Sequence, residues 1–528
     1  MLLHDLILQH EDSRADATAL IRGADALTYA ELADAVRAIS SALRSLDIAA
    51  GARVAVYMNK RVEGAISYFA SSHAGAVFVP INPVLKAPQV GHILKDCTVS
   101  ALITTSALAA TLQDELAGSD SVRHLILIDE TGSQPELSGP LATHSWSTLL
   151  GNATRDMPAA SRIDNDVAAI LYTSGSTGSP KGVVLSQRNM VSGAISVASY
   201  LKNTADDVIL AALPLSFDAG FSQMTTAFAS GATVVLMDYL LPQDVPKAIA
   251  KHGATGLTGV PPLWNQLAKS KWPDEAVESL RYIANTGGAM PTATLKRLRD
   301  MLPSTDVFLM YGLTESFRST YLPPEELDRR PTSMGKAIPN AEILVVREDG
   351  SLCDADEPGE LVHRGALVSL GYWNDPDRST TRFKPVPNRQ KELPFEELAV
   401  WSGDTVTRDS DGFLYFVGRK DDMIKSSGYR ISPTEVEEII YKTGFVTECA
   451  ALGIPHPEIG QAVVVVAHSK TANDDTSAKI LATCRQVMPN FMVPAQIIWQ
   501  DTLPKNPNGK IDRKRLSGDY QDLYREER

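Results

Sequence analysis

The sequence predicts an α/β protein in two unequal parts: a large N-terminal domain on mostly parallel sheets, with a β-rich subdomain late in it, and a small α+β C-terminal domain. Three observations lead there. Over about the first 160 residues, helical patterns alternate with short apolar runs, the rhythm of β-α-β units. From about Thr332 the texture changes to short strands separated by turn signals. A charged connector, Arg419-Lys420-Asp421-Asp422, then precedes a new helix start. Size requires the division, because 528 residues exceed the roughly 250–300 at which one core stops growing.

Taken in order, ARVAVYM (52–58) and AVFVPI (76–81) are apolar runs of strand length set between helical stretches. Such units pair in parallel, because a helix must carry the chain back to the sheet's starting edge. EILVVREDGSL and GELVHRGALVSLGYW read as short strands joined by turns. Two further strand-like runs flank Asp411-Gly412 in SGDTVTRDSDGFLYFVGRK, as an Asp-Gly turn requires. After the connector, Thr434 and Glu437 have the Ser/Thr-x-x-Glu spacing of a capping box. The expected division is therefore 1–420, with the β-rich subdomain at about 332–420, and 421–528. AVVVVAHS, a helix near 476–488 and AQIIWQ complete the small domain, and there are no repeats or low-complexity tracts.

Composition narrows the partners. With 44% apolar and 21% charged residues and a mean hydropathy of -0.08, the chain is of the soluble globular class. A net charge of -13 and the lack of Lys/Arg clusters before Arg513-Lys514-Arg515 argue against nucleic acid. Cys97, Cys353, Cys449 and Cys484 stand singly, without CxxC or metal-ligand spacing, which implies a reducing compartment and no structural zinc. No run approaches the ~18 apolar residues of a membrane span. MLLHDLILQHEDSR has no basic n-region and no cleavage site, so a cytoplasmic location is expected.

The most informative segment is AAILYTSGSTGSPKGVVLS, an apolar strand entering Thr173-Ser174-Gly175-Ser176-Thr177-Gly178-Ser179-Pro180-Lys181-Gly182. Glycines let backbone approach an anion, hydroxyls and amides donate to phosphate oxygens, and Lys181 adds charge. A Walker loop would need GxxxxGK[ST]. Counted from Gly175, Pro180 takes the place of the second Gly and Gly182 that of Ser/Thr, so the P-loop ATPase reading fails.

That segment heads an ordered series: YTSGSTGSPKG (172–182), GGAMP (287–291), YGLTES (311–316), GELVHRG (359–365), SGD (402–404), GRKDDMIKSSGYRISPTEVE (418–437) and NPNGKIDRK (506–514). In these motifs the chain resembles the adenylate-forming superfamily: AMP-forming acyl-CoA synthetases, firefly luciferases and nonribosomal peptide adenylation domains. LPLSFDAGFSQMTTAF, GVPPLWNQLA, YGLTESFRSTYLPPEE and GKAIPNAEILVV further resemble stand-alone AMP-forming acyl-CoA ligases associated with exosortase-type sorting systems. The resemblance implies stacked sheets, a mobile C-terminal domain, and ATP-dependent activation of a carboxylic acid as an acyl-adenylate. The acyl group then passes to the thiol of CoA or, alternatively, of a phosphopantetheinyl carrier protein.

Residue roles follow from the same resemblance. Thr173, Ser174, Gly175, Ser176, Thr177, Gly178 and Lys181 are expected at the ATP β- and γ-phosphates. Gly287, Gly288, Ala289, Tyr311 and Gly312 are expected at the adenine, Thr314 at the α-phosphate, Glu315 on Mg²⁺, and Asp404 and Arg419 at the ribose. Lys510 matches the lysine that bridges the attacking carboxylate and the α-phosphate, Asp421 the hinge, and Gly428, between Lys425 and Arg430, the passage for pantetheine. Overlay of LPLSFDAGFSQ and its companions places Phe217, Asp218, Ala219, Ser222, Gly259, Ala284, Thr286, Met310, Arg318 and Ser319 around the acid. Asp218 and Arg318 then either bind a polar, amino-bearing or doubly charged acid or neutralise each other. With 18 residues after Lys510 and no carrier domain, the thiol is expected in trans. A non-catalytic nucleotide-binding protein stands as an alternative disfavoured by the presence of Thr314, Glu315, Asp404 and Lys510; a luciferase-like oxygenase shares the first half-reaction, and light emission with an added luciferin would decide it.

Overall fold

The computed structural model describes residues 1–129, 141–173, 180–387, 392–419, 423–426, 429–456, 459–488, 490–507 and 509–524. Two large sheets lie on either side of a shared layer of helices. One is seven-stranded, in the order Ala142–Ser145, His124–Leu127, Val99–Thr104, Arg53–Tyr57, Val77–Ile81, Val167–Thr173, Lys181–Ser186. It is parallel except for its last pair, Val167–Thr173 with Lys181–Ser186. The predicted runs at 52–58 and 76–81 are two of its central strands.

The second sheet is nine-stranded: Lys336–Ala337, Thr320–Leu322, Asp306–Tyr311, Tyr282–Asn285, Gly256–Gly259, Val208–Ala211, Thr233–Leu236, Thr18–Arg22, Asp25–Thr28. Its middle is parallel and both edges are antiparallel. Helices Tyr29–Ser45, Val62–His73, Gln187–Tyr200 and Asp218–Ser230 fill the space between the sheets, and one core joins Val54 and Phe78 of the first sheet to Leu20 and Val234 of the second. The helix Tyr29–Ser45 starts at a full capping box, Thr28 with Glu31, and buries Leu32, Val36, Ile39 and Leu43 along one stripe. Separate cores cover the outer faces, so the layers are helix, sheet, helix, sheet, helix.

The antiparallel sheet, Ala341–Val346, Gly359–Gly365, Leu398–Arg408 and Phe383–Pro385 with Leu414–Arg419 on Leu398–Arg408, is the β-rich region. Its first strand opens at Ala341; ahead of it Gly335 bridges to Leu414 and Met334 packs in the same core, while Lys336–Ala337 pairs with Thr320–Leu322 in the nine-stranded sheet. Short antiparallel edge strands carry the same turn-rich pattern as the sheet that follows, so sequence texture merges them. After Met423 the strands Ile424–Ser426, Tyr429–Ile431, Glu448–His456, Gly460–His468 and Gln496–Trp499 form a fourth sheet, carrying helices Pro433–Lys442 and Asp474–Val487.

The capping box assigned to Thr434 is not made. Ser432 is the N-cap and Pro433 the first helical residue, since a fixed φ and a missing N–H suit that position. Glu437 is buried and instead accepts hydrogen bonds from the Ala451 N–H at 2.7 Å and from Arg513 at 2.6 Å. All four cysteines are free and buried, as packing residues are. Among the described residues no helix is long and apolar enough to cross a membrane.

Candidate active site

The strands that flank the segment expected at the phosphates end at Thr173 and begin at Lys181, which sit opposite each other. Ser174, Gly175, Ser176, Thr177 and Gly178 lie outside the described residues. Lys181 Nζ donates to Glu315 Oε1 at 2.8 Å and to the Tyr372 hydroxyl at 2.8 Å, and rests 4.3 Å above the Tyr372 ring. Tyr372 in turn donates to Glu315 Oε1 at 2.6 Å. Burial alone would push the Glu315 carboxyl up, but the Lys181 charge and the hydrogen bonds of Lys181 and Tyr372 outweigh it and hold the group down at about 2. Burial lowers Lys181, against the pull of Glu315. The residues expected at the polyphosphate and at Mg²⁺ are thus brought into contact. Two hydroxyls beside them, Thr173 Oγ1 and Ser369 Oγ, are buried without a hydrogen-bond partner, donors suited to phosphate oxygens.

Thr314 and Glu315 stand on a 3₁₀ turn, Thr314–Ser316, that follows the strand Asp306–Tyr311. The next residue, Phe317, takes φ +56°, uncommon for a bulky side chain and found where surrounding packing imposes it. The ring is fully buried against the Gly193 backbone, where an added Cβ would lie 2.4 Å from Phe317 Cδ1. That turn directs Arg318 inward. Arg318 is 1% exposed, and its Nη1 donates to Asp218 Oδ2 at 2.7 Å and to the Phe317 carbonyl at 2.7 Å. Thr314 Oγ1 donates to the other Asp218 oxygen at 3.1 Å. Asp218 opens the helix Asp218–Ser230, which is pressed so closely on the preceding loop that an added Cβ at Gly220 would lie 1.8 Å from the Pro214 oxygen.

Toward the nucleoside side, the Tyr311 hydroxyl donates to Asp404 Oδ2 at 2.5 Å, and Arg419 Nε lies 3.2 Å from Asp404 Oδ1. Gly287, with φ +76°, sits under the catalytic-lysine candidate: an added Cβ would approach Lys510 Cε to 3.0 Å and Val260 Cγ1 to 3.2 Å. Gly288 and Ala289 are exposed, and Asn285, whose Nδ2 donates to the Gly288 carbonyl at 2.8 Å, keeps Oδ1 without a partner. Gly312 faces the Arg318 backbone, with room for no Cβ beyond 3.0 Å.

Lys510 reaches this site from the fourth sheet. Its loop is closed by the bridge between Lys505 and Ile511 and by Asn506, whose Oδ1 accepts from the Lys510 N–H at 3.0 Å. Burial lowers the Lys510 ammonium, Asp218 opposes that shift, and Arg419, Asp404 and Arg318 also act on it. The five charged groups therefore share one site. Asn82 Nδ2 holds the loop by donating to the Pro507 carbonyl at 2.8 Å, and a second cross-contact is made by the helix Pro433–Lys442, whose Glu438 carboxylate accepts from Thr292 N–H at 3.2 Å and from the Thr292 hydroxyl. Thr292 begins the helix Thr292–Met301 that follows GGAMP, and its N-cap Pro291 offers no side-chain cap, so Glu438 supplies one from the other side of the interface. Asp421 and Gly428 lie outside the described residues.

Of the residues placed around the acid, Ala219, Ser222, Met310 and Arg318 line one cavity of about 10 Å³, with Gln223, Thr226, Thr258 and Tyr282. Phe217 is buried outside that lining. Gly259 is covered by Trp264, whose ring an added Cβ would meet at 2.7 Å. Sequence reasoning missed Asn82, Tyr372, Glu438 and Gln223. For Gln223 a signal existed, since 219, 222, 223 and 226 fall on one helical face.

Comparison with known proteins gives the family. Residues 8–373 match the family model described as AMP-binding enzyme, and residues 435–510 that of the AMP-binding enzyme C-terminal domain. The long-chain-fatty-acid–CoA ligase of Salmonella typhimurium is 29% identical over 97% of this chain and 93% of its own. The L-proline–[L-prolyl-carrier protein] ligase of Streptomyces coelicolor is 31% identical over 94% and 93%. Among solved structures, ATP-bound MatB from Rhodopseudomonas palustris superposes with a TM-score of 0.86 at 25% identity, covering 99% of this chain and 100% of that one. The o-succinylbenzoate CoA synthetase of Bacillus subtilis, solved with its acyl-adenylate intermediate, gives 0.81 at 25% identity, covering 97% of each. With both family models matched and these ligases covered along nearly their whole length, the chain belongs to the AMP-binding enzyme family, as an AMP-forming acid–thiol ligase.

Proposed function

We propose that this ligase activates a polar carboxylic acid with ATP and transfers the acyl group to CoA. The observation that carries it is the meeting of Lys510, Asp218, Arg318 and Thr314 beside the Lys181–Glu315 pair. In the first half-reaction the carboxylate oxygen attacks the α-phosphorus, and the bond to pyrophosphate breaks. Lys510 sits between the two anions and offsets their repulsion, Thr314 donates to an α-phosphate oxygen, and Lys181 with the 173–178 segment takes the charge that develops on pyrophosphate. Tyr311, Gly287, Gly288, Ala289 and Gly312 bound the adenine, while Asp404 and Arg419 hold the ribose.

Glu315 is the carboxylate that would hold Mg²⁺, which would supply charge neutralisation at the phosphates. Among the described residues no group of three or more His, Cys, Asp and Glu is placed to hold a metal ion. In the second half-reaction the thiol sulfur attacks the acyl carbon and AMP leaves. For this the 421–528 domain turns about Asp421, withdraws Lys510 and presents Gly428 to the pantetheine arm. A carrier-protein acceptor is the second reading, favoured by the likeness to the prolyl-carrier ligase.

Two measurements test this reading. ATP–pyrophosphate exchange should depend on an added acid, with AMP as the product when CoA is present; ADP as product, or exchange with no acid in a broad panel, would overturn it. The Asn82 contact gives the second. Asn82→Ala and Glu438→Gln should each slow adenylation about tenfold, the scale of one lost hydrogen bond to a charged or ordering group, yet leave thioester formation from supplied acyl-adenylate nearly unchanged. Equal loss in both half-reactions would mean that these residues support the fold and do not position Lys510.

A further inference from the structure

The cavity beside Asp218 is small and polar, and two of its side chains are incompletely satisfied. Six of its eleven lining residues are polar: Ser222, Gln223, Thr226, Thr258, Tyr282 and Arg318. Its free volume of about 10 Å³ is close to that of one water. Gln223 is 3% exposed, and its Nε2 donates to the Gly220 carbonyl at 3.0 Å. A carbonyl only accepts, so this bond fixes the amide orientation and leaves Oε1 over, buried without a partner. Arg318 leaves Nε in the same condition. One buried acceptor and one buried donor thus belong to side chains lining one cavity, and such groups are costly unless a partner arrives.

The charge balance excludes an ionic partner. Arg318 and Asp218 close on each other at 2.7 Å, with side chains 2% and 6% exposed. An ammonium group docking on Asp218 would strip Arg318 of its counter-ion, and a second carboxylate docking on Arg318 would strip Asp218; either leaves a buried ion unpaired. Nor is there room for a long alkyl chain in about 10 Å³, where the lining Met310 is held by the Tyr200 hydroxyl at 3.0 Å and Tyr200 stacks on Tyr321 at 4.2 Å.

We infer that the acid is short and carries a hydroxyl at its far end, which donates to Gln223 Oε1 and accepts from Arg318 Nε. A hydroxyl is the smallest group that does both, and it is the size of the cavity. The inference rests on the ligase reading above and deepens it by naming the substrate class.

The test is ATP–pyrophosphate exchange by the wild-type enzyme with hydroxybutyrate isomers, butyrate, aminobutyrate isomers, succinate and palmitate. One hydroxybutyrate isomer should exceed butyrate in kcat/KM by about tenfold or more, the penalty for leaving a polar site unpaired. Gln223→Leu should reduce that ratio by a similar factor. Should Gln223→Leu fail to fold, Thr226→Val, on the same helix face, is expected to narrow the ratio too. A best rate with aminobutyrate, succinate or palmitate would overturn the inference and leave the ligase reading standing. So would equal rates for butyrate and hydroxybutyrate, which would mean that the cavity holds only a trapped water. Exchange with none of these acids, nor with a wider panel, would instead remove the ligase reading itself.

Discussion

Lys510→Ala is expected to slow acyl-adenylate formation about 10²–10³-fold, the scale of removing one preorganised electrostatic donor. Thioester formation from supplied acyl-adenylate should change little. The expectation follows from position: Lys510 crosses Gly287 and feels Asp218, Asp404, Arg318 and Arg419 at once, so its charge lies where a carboxylate and a phosphate must approach. Its pH dependence gives an independent check. Burial holds the Lys510 pKa below the ordinary lysine value, so the useful charge is present at low and neutral pH and is lost as pH rises through that lowered value. The alkaline limb of adenylation should therefore sit below that of a free lysine. Lys510→Arg, which stays charged, should move the limb upward whatever its effect on rate. An unchanged limb, or equal loss in both half-reactions, would deny Lys510 this role.

Much of this site was legible because its chemistry is local in sequence. Thr314 and Glu315 are neighbours on one turn, Lys181 follows closely on Thr173, and Lys510 follows Gly509, whose φ of +78° suits glycine. Partnerships across the chain were not legible. Tyr372 meets Glu315 over 57 residues and Asn82 meets Pro507 over 425, and an isolated Tyr or Asn looks like any other core aromatic or loop amide. The choice between a substrate-binding Asp218 and an Asp218 paired with Arg318 could not be made either, since the ion pair spans 100 residues and depends on the Phe317 turn. Among the fold features, the parallel strands were readable from apolar runs. The boundary between the nine-stranded and antiparallel sheets was not, because the edge strands of one share the turn-rich pattern of the other.

Arg318→Met should be the most destabilising substitution in the acid pocket, by about 3–5 kcal/mol, because it strands the Asp218 carboxylate in a site closed to water. Asp218→Ala should cost a similar amount for the opposite charge. Combining Asp218→Ala with Arg318→Met removes both ions together, and the double variant should recover most of the loss, since replacing a buried pair by apolar groups is often close to neutral. Thermal unfolding of the four proteins forms a double-mutant cycle whose coupling term measures the pair. Additive losses would mean that Asp218 and Arg318 act separately, and the argument that the pocket refuses charged acids would fall with them. The same cycle read by ATP–pyrophosphate exchange separates stability from chemistry. Thr314 also donates to Asp218, so a stable double variant should still adenylate slowly. A pair that only held the fold together would let activity return with stability. A pair that sets the position of Thr314 and the neutrality of the pocket would restore the fold alone.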